Sequence, residues 1–370
     1  MSPYDRDGGV SIIAGALPRG VELVGSNVDR KPYLFQGVPQ ATGTFSFTVK
    51  AEFEDAWPKT IDCTMTVGTP GSVSRIAGAD RYAQAVEVSR TFTEAETVYL
   101  ASGEKFPDAL SAGSVAGFND APLLLVSSGA VPAATLAEID RLDPDHVVVV
   151  GGPASVSDEV LESLKREIDD ASLTRIGGAD RYAVSRALIS DARFGIPTAS
   201  TAYLATGTTF PDALSSSPAA VTAGGPVLLV NGAAPALSTE ESALLTALGT
   251  KEIRIAGGTS SIGQSLETSL ARSFSVSRSS GADRYEAAVA INKSAFAASP
   301  TVYLASGTAF ADALSAAPVA GRDKNPVYLV QPNCVPNSVL QEIVRLEPAK
   351  IIILGGTATI GSAVETLRSC

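Results

Sequence analysis

Two aspartates recur in each of three stretches of this chain: Asp80 with Asp108, Asp180 with Asp212, and Asp283 with Asp312. Paired carboxylates are the working groups of glycoside hydrolysis, one as acid and the other as base or nucleophile. Aspartate also caps helices, because its side chain accepts free N–H groups of the first turn. All six open helical patterns, and capping is the favoured reading. A hydrolase carrying three copies of one active site is the alternative. Arg81, Arg181 and Arg284 directly follow the first aspartates. A cation in a first turn opposes the helix dipole, so packing onto tyrosine, ion pairing with a neighbouring repeat or ligand binding must account for it. Arg75, Arg175 and Arg278 are open to the same readings. Each stretch also ends an apolar run on a glycine pair: Gly151-Gly152, Gly257-Gly258 and Gly355-Gly356. Ser155, Ser261 or Thr359 follows as a cap candidate. Strand, glycine turn and capped helix together make either an anion nest or an ordinary βα connection.

Other chemistries fail on inventory. The single histidine, His146, opens an apolar strand-like run. One histidine cannot serve a Ser-His-Asp triad in every repeat or build a His-rich metal site. Neither Walker A spacing nor a full G-x-G-x-x-G fingerprint occurs, so no cofactor is expected. Cys63, Cys334 and Cys370 lack metal-ligand spacing. Cys334 and Cys370 fall in the third stretch without counterparts in the other two. They read as a disulfide stapling the C-terminus, with two buried thiols as the alternative. A disulfide implies an oxidising compartment. Cys63 has no obvious partner.

The elements that position these residues are written three times. Arg75-Ile-Ala-Gly-Ala-Asp-Arg-Tyr82 returns as Arg175-Ile-Gly-Gly-Ala-Asp-Arg-Tyr182 and as Arg278-Ser-Ser-Gly-Ala-Asp-Arg-Tyr285. Tyr99–Ser111, Tyr203–Ser215 and Tyr303–Ser315 share Phe-Pro/Ala-Asp-Ala-Leu-Ser. Pro122-Leu-Leu-Leu-Val126, Pro226-Val-Leu-Leu-Val230 and Pro326-Val-Tyr-Leu-Val330 share a third block. Each copy is long enough to be a small domain. Short apolar runs alternate with helical spacing, which predicts an α/β fold with buried parallel sheets. The repeats are placed at 73–170, 171–274 and 275–370, after a linker at 69–72. Residues 1–68 alternate apolar and polar, as in Phe45-Ser-Phe-Thr-Val-Lys-Ala51, and predict a small all-β unit.

The net charge of −11 argues against nucleic acid and acidic membranes as partners. No apolar run approaches the roughly 18–20 residues that span a bilayer. Met1-Ser-Pro-Tyr-Asp-Arg-Asp7 shows no secretory signal, which fits a cleaved one as well as none.

The three ordered blocks, in triplicate, resemble the cell wall binding repeat 2 family across residues 73–370. That resemblance implies three tandem Toprim-like or Rossmann-like modules in a pseudo-threefold arrangement, closing among themselves so that the chain is expected to be monomeric. It implies a noncatalytic anchor in the cell wall of a Gram-positive bacterium, holding an extracellular protein to an anionic wall polysaccharide, teichoic-acid-like or a secondary wall polymer. An apolar Ile-Leu-Leu motif associated with anchoring maps onto Leu123-Leu124-Leu125 and Val227-Leu228-Leu229. Copy three departs from it with Val327-Tyr328-Leu329. The candidate ligand-binding set therefore comprises these six apolar residues, Arg75, Arg81, Arg175, Arg181, Arg278 and Arg284, and Gly151, Gly152, Gly257 and Gly258. Leu17-Pro-Arg-Gly20, Gly37-Val-Pro39 and Thr42–Val49 resemble bacterial Ig-like domains, so an adhesin acting through that segment is a further alternative.

Overall fold

The computed structural model describes residues 9–26, 31–37, 43–53, 56–67, 71–168 and 171–370. Gly68, at the end of the expected β unit, residues 69–70 of the expected linker and the first eight residues lie outside that set. The chain divides into two compact units, split after Gly71.

The N-terminal unit is antiparallel, as its alternating pattern requires. Strands β1 (Val10–Gly15), β2 (Val21–Ser26), β3 (Lys31–Gly37), β4 (Gly43–Phe53) and β5 (Ala56–Val67) form a β1-β4-β5 sheet and a β2-β3 hairpin. Phe47 is buried edge-on against Phe35, with ring centroids 5.2 Å apart.

The second unit repeats one pattern. Its first copy runs β6 (Ser72–Ile76), α1 (Arg81–Ser89), β7 (Thr97–Ser102), α2 (Phe106–Phe118), β8 (Leu123–Val126), α3 (Ala133–Leu142), β9 (His146–Val150) and α4 (Asp158–Glu167). The second runs β10 (Ser172–Ile176), α5 (Arg181–Ser190), β11 (Thr201–Thr206), α6 (Pro211–Thr222), β12 (Val227–Val230), α7 (Thr239–Ala247), β13 (Glu252–Ala256) and α8 (Gln264–Leu270). The third runs β14 (Ser275–Ser279), α9 (Arg284–Ala295), β15 (Thr301–Ser306), α10 (Ala311–Leu314), α11 (Ala316–Arg322), β16 (Val327–Val330), α12 (Asn337–Leu346) and β17 (Lys350–Leu354), and ends in a 3-10 turn at Ser362–Val364.

Among the described residues these strands form three four-stranded parallel sheets, ordered β10-β9-β7-β8, β14-β13-β11-β12 and β6-β17-β15-β16. The sheets are offset from the sequence repeats by one strand. The Arg-x-x-Gly-Ala-Asp-Arg-Tyr block opens on a strand that completes the sheet of the preceding copy. It then crosses to begin the helix of its own copy. β6, from the first copy, completes the third sheet beside β17, which closes the cycle. Each prolyl carbonyl, of Pro122, Pro226 and Pro326, accepts the N–H of Tyr99, Tyr203 or Tyr303 on the adjacent strand. Each proline stands immediately before its strand, where a missing N–H removes no ladder bond.

The middle strands are apolar on both faces because helices cover both. Helices α2, α6 and α11 pack against one another at the centre. Small side chains permit the approach: a Cβ at Gly113 would rest between Ala317 and Ser217, and one at Gly117 would press on Val221 and Pro318. The disulfide expected from the third copy is present between Cys334 and Cys370. Cys63 is the free cysteine.

Candidate functional site

Each sheet reverses strand order between its first and third strands, for example β7 and β9. Open α/β sheets bind ligands outside the carboxyl ends of strands at such switch points. Here the segment after β7 leads into the first turn of α2, which carries Phe106 and Asp108, and the loop after β9 carries the pair Gly151-Gly152. The other two sheets place their counterparts equivalently.

Asp80, Asp180 and Asp283 are N-caps. Each Oδ1 accepts two helix N–H groups, as from Tyr82 and Ala83 at 2.9 and 2.8 Å. Asp108, Asp212 and Asp312 differ from the expectation of further caps. They sit inside the first turns of α2, α6 and α10, with carboxylates turned onto the glycine-pair loop. Ser261 donates to Asp212 at 2.8 Å, and Ser155 and Thr359 serve Asp108 and Asp312 alike. These hydroxyls therefore satisfy buried carboxylates, while Ser157 and Gly263 occupy the N-cap positions of α4 and α8. Asp108 and Asp212 are 7% and 8% exposed. Burial pushes all three carboxyls above their usual range, and the hydroxyl and a neighbouring arginine pull back.

That arginine comes from another copy. The charge of Arg181 acts on Asp108, that of Arg284 on Asp212 and that of Arg81 on Asp312. Arg81 and Arg284 each donate to the carbonyl of their own copy's Gly103 or Gly307 at 2.5 Å, and Arg181 to that of Gly207. The helix-opposing cation is thus held by a carbonyl of its own copy, and its charge favours the ionised carboxylate of a neighbouring copy. Arg75, Arg175 and Arg278 work elsewhere. Their guanidiniums donate to the carbonyls of Gly355, Gly151 and Gly257 at 2.6, 3.0 and 2.8 Å and pair with Glu365, Asp158 and Glu267. They tie the strand-end loop to the strand completing the sheet.

Gly151, Gly257 and Gly355 have φ of +117°, +99° and +104°. A Cβ at any of them would collide with the carboxylate of Asp108, Asp212 or Asp312. Their N–H groups donate to the carbonyls of Ile176, Ser279 and Ile76, so those donors are committed to the fold and not to a nest. The second glycines meet little: a Cβ at Gly258 comes no nearer than 4.0 Å to another atom. Leu123, Leu124, Leu125, Val227, Leu228 and Leu229 lie in β8 and β12, at most 1% exposed. A ligand cannot touch their side chains while the sheets are closed. In β16 the Tyr328 hydroxyl donates to Glu342 at 3.0 Å, itself paired with Arg345.

One set of residues escaped the sequence reading. Phe106, Phe210 and Phe310 meet at the centre, with centroids 6.0, 5.7 and 6.1 Å apart, a near-equilateral triangle of half-buried rings. The Arg284 guanidinium lies 5.9 Å from the Phe210 centroid. The available signal was phenylalanine two residues before each of Asp108, Asp212 and Asp312. The strand ends thus carry an aromatic hub with the Arg284 guanidinium beside one of its rings.

The cell wall binding domain 2 (CWB2) pattern matches residues 75–161, 175–267 and 278–365, well over half the chain. The chain belongs to the CWB2 family. Cell wall association follows from that membership, and among the described residues no helix is long and apolar enough to cross a membrane. The chain is 27% identical over 294 residues to the N-acetylmuramoyl-L-alanine amidase LytC of Bacillus subtilis (strain 168), covering 79% of itself and 57% of that protein. It is 28% identical over 292 residues to the amidase enhancer of the same strain, covering 79% of itself and 39% of that protein. It therefore spans only part of either relative. Cwp6 and Cwp8 from Clostridium difficile share the fold, with TM-scores of 0.74 and 0.72 at 22% and 23% identity. The alignments cover 94% and 97% of this chain and 61% and 62% of those chains.

Proposed function

We propose that this CWB2 chain grips an anionic polysaccharide of a Gram-positive cell wall, noncovalently and without turnover, at the strand-end rim. The observation that carries the reading is the Phe106, Phe210 and Phe310 hub, with Arg284 beside Phe210 and with Arg81 and Arg181 at the equivalent helix starts of the other two copies. Aromatic faces take sugar rings, and guanidiniums take phosphate or carboxylate groups. Three weak sites on one rigid body bind a repetitive chain with avidity far above that of one site. The local arginines give an anion somewhere to dock on a protein of net charge −11.

The hydrolase alternative has little support. Asp80 and its equivalents are engaged by helix N–H groups, and Asp108 and its equivalents accept a hydrogen bond from a hydroxyl. The names of the two Bacillus relatives describe a wall amidase and its enhancer, and an anchor shared between different effectors fits the matched portion.

The test is retention of the full chain on purified walls, before and after removal of secondary polymers, with released sugars and peptides measured. The reading expects retention on intact walls, loss on stripped walls and no release. Product release with turnover contradicts it, as does retention indifferent to stripping.

A further inference from the structure

The ring of sheets has one junction unlike the other two. Between the first and second sheets the chain runs continuously from β9 through α4 into β10 and α5. Between the second and third it runs from β13 through α8 into β14 and α9. At the last junction β17 meets β6, the first strand of the ring, and no βα connection joins them. Their pairing is a five-residue parallel ladder, Lys350–Leu354 against Ser72–Ile76, helped by the Ser72 N–H bond to Ala349.

The segment after β17 also differs. In place of a helix like α4 it has the short turn Ser362–Val364, then Leu367 with φ of +53°. A left-handed leucine is costly and persists only where its surroundings hold it. This segment carries Glu365, which pairs with Arg75 of β6 at 2.8 Å. The segment is pinned from one side: Val335 donates to the Arg368 carbonyl at 2.7 Å, Cys370 donates to the Val335 carbonyl at 3.1 Å, and Cys370 is bonded to Cys334. Val73 of β6 and Leu367 pack against one apolar cluster containing Val335, Ile351 and Val364. Among the described residues the disulfide occurs at this junction and has no equivalent at the other two.

We propose that the Cys334–Cys370 disulfide is the clasp that keeps the ring shut, holding the Glu365 segment against Arg75 and thereby β6 against β17. It does covalently what α4 and α8 do at the other junctions. Cys370 is exposed, so a thiol reagent reaches it. Reduction by a dithiol returns two cysteine thiols and leaves the reagent as its own disulfide. The strained segment then frays, Arg75 loses its carboxylate and β6 loosens from β17. The clasp acts on the ring whatever the ring binds.

The test is amide hydrogen exchange on the full folded chain, with and without dithiothreitol, compared with C334S/C370S. A C63S variant controls for the remaining thiol. Exchange at residues 72–76 should accelerate by about tenfold or more on reduction, while the equivalent strands 172–176 and 275–279 hold their rates. Unchanged exchange at 72–76 overturns the proposal. Equal acceleration at all three strands overturns it too, because that is general destabilisation and not an opened junction. Reduction of already folded protein gives the answer even if the serine variant fails to fold.

Discussion

Gly257→Ala against Gly258→Ala separates the two glycines of a pair that look alike in sequence. Gly257 has φ of +99°, and a Cβ there strikes the Asp212 carboxylate. A non-glycine residue held in that region costs about 1–3 kcal/mol. Displacing the carboxylate also breaks its hydrogen bond from Ser261, a charge-assisted bond worth about 1.5–3 kcal/mol. Some of that bond survives if the side chain rotates, so the total is about 3–4 kcal/mol. For a unit of this size that is a fall in Tm of roughly 6–10 °C. Gly258→Ala has room for its Cβ and should stay within about 0.5 kcal/mol. Unfolding should be followed by far-UV circular dichroism, because the sole tryptophan, Trp57, lies in the N-terminal β unit. Adding Asp212→Ala to Gly257→Ala removes the collision but not the backbone strain. The double variant should therefore be about 1–2 kcal/mol more stable than additivity predicts. Equal losses at Gly257 and Gly258, or strict additivity in the double variant, would refute the reasoning.

Three further outcomes are expected. Burial raises the carboxyls of Asp108, Asp212 and Asp312 in the folded state, so the native protein binds their protons more tightly than the unfolded chain. That contribution is complete below the unfolded carboxylate pKa and is lost as pH rises through the folded one. Wild type should thus gain stability relative to D108N/D212N/D312N as pH falls from neutral toward the ordinary carboxylate range, and urea titrations giving a flat or opposite difference count against it. Ser111, Ser215 and Ser315 hold buried hydroxyls without a hydrogen-bond partner among the described residues, so their joint replacement by alanine should be neutral or stabilising by up to about 3 kcal/mol. A loss above about 1 kcal/mol per site in chemical denaturation argues against that. Phe210→Ala removes one edge-on and one tilted ring contact and the ring beside Arg284; for a half-buried ring the cost is about 2–3 kcal/mol, and a change under about 0.5 kcal/mol shows that the hub is not packed as described.

Much of this was legible because it is local. Alternation of apolar runs with helical spacing marked the strands and helices, Asp80 and its equivalents stood where caps belong, and the third copy's two cysteines had no counterparts to mislead. What was not legible depends on pairing across long sequence distances. The block beginning at Arg75 looks the same in all three copies, so nothing in it says that its strand completes the preceding sheet, or that β6 must travel to β17. Ser155, Ser261 and Thr359 carried the right chemistry for a cap, and their actual acceptor is an aspartate roughly 47–49 residues away in sequence. The phenylalanines before Asp108, Asp212 and Asp312 recur in the sequence only as part of a block, and nothing local says that three copies bring them to one centre. The apolar triplets at Leu123 and Val227 have the composition of a buried parallel strand, and that is where they lie.

Stepwise neutralisation of the rim measures the grip itself. R81Q, R181Q and R284Q, singly and in combination, should be compared for dissociation from intact walls and from walls stripped of secondary polymers. Each substitution should weaken retention on intact walls by about three- to tenfold, and the triple variant should bind intact walls no better than wild type binds stripped ones. A correctly folded triple variant that holds intact walls as tightly as wild type contradicts the account.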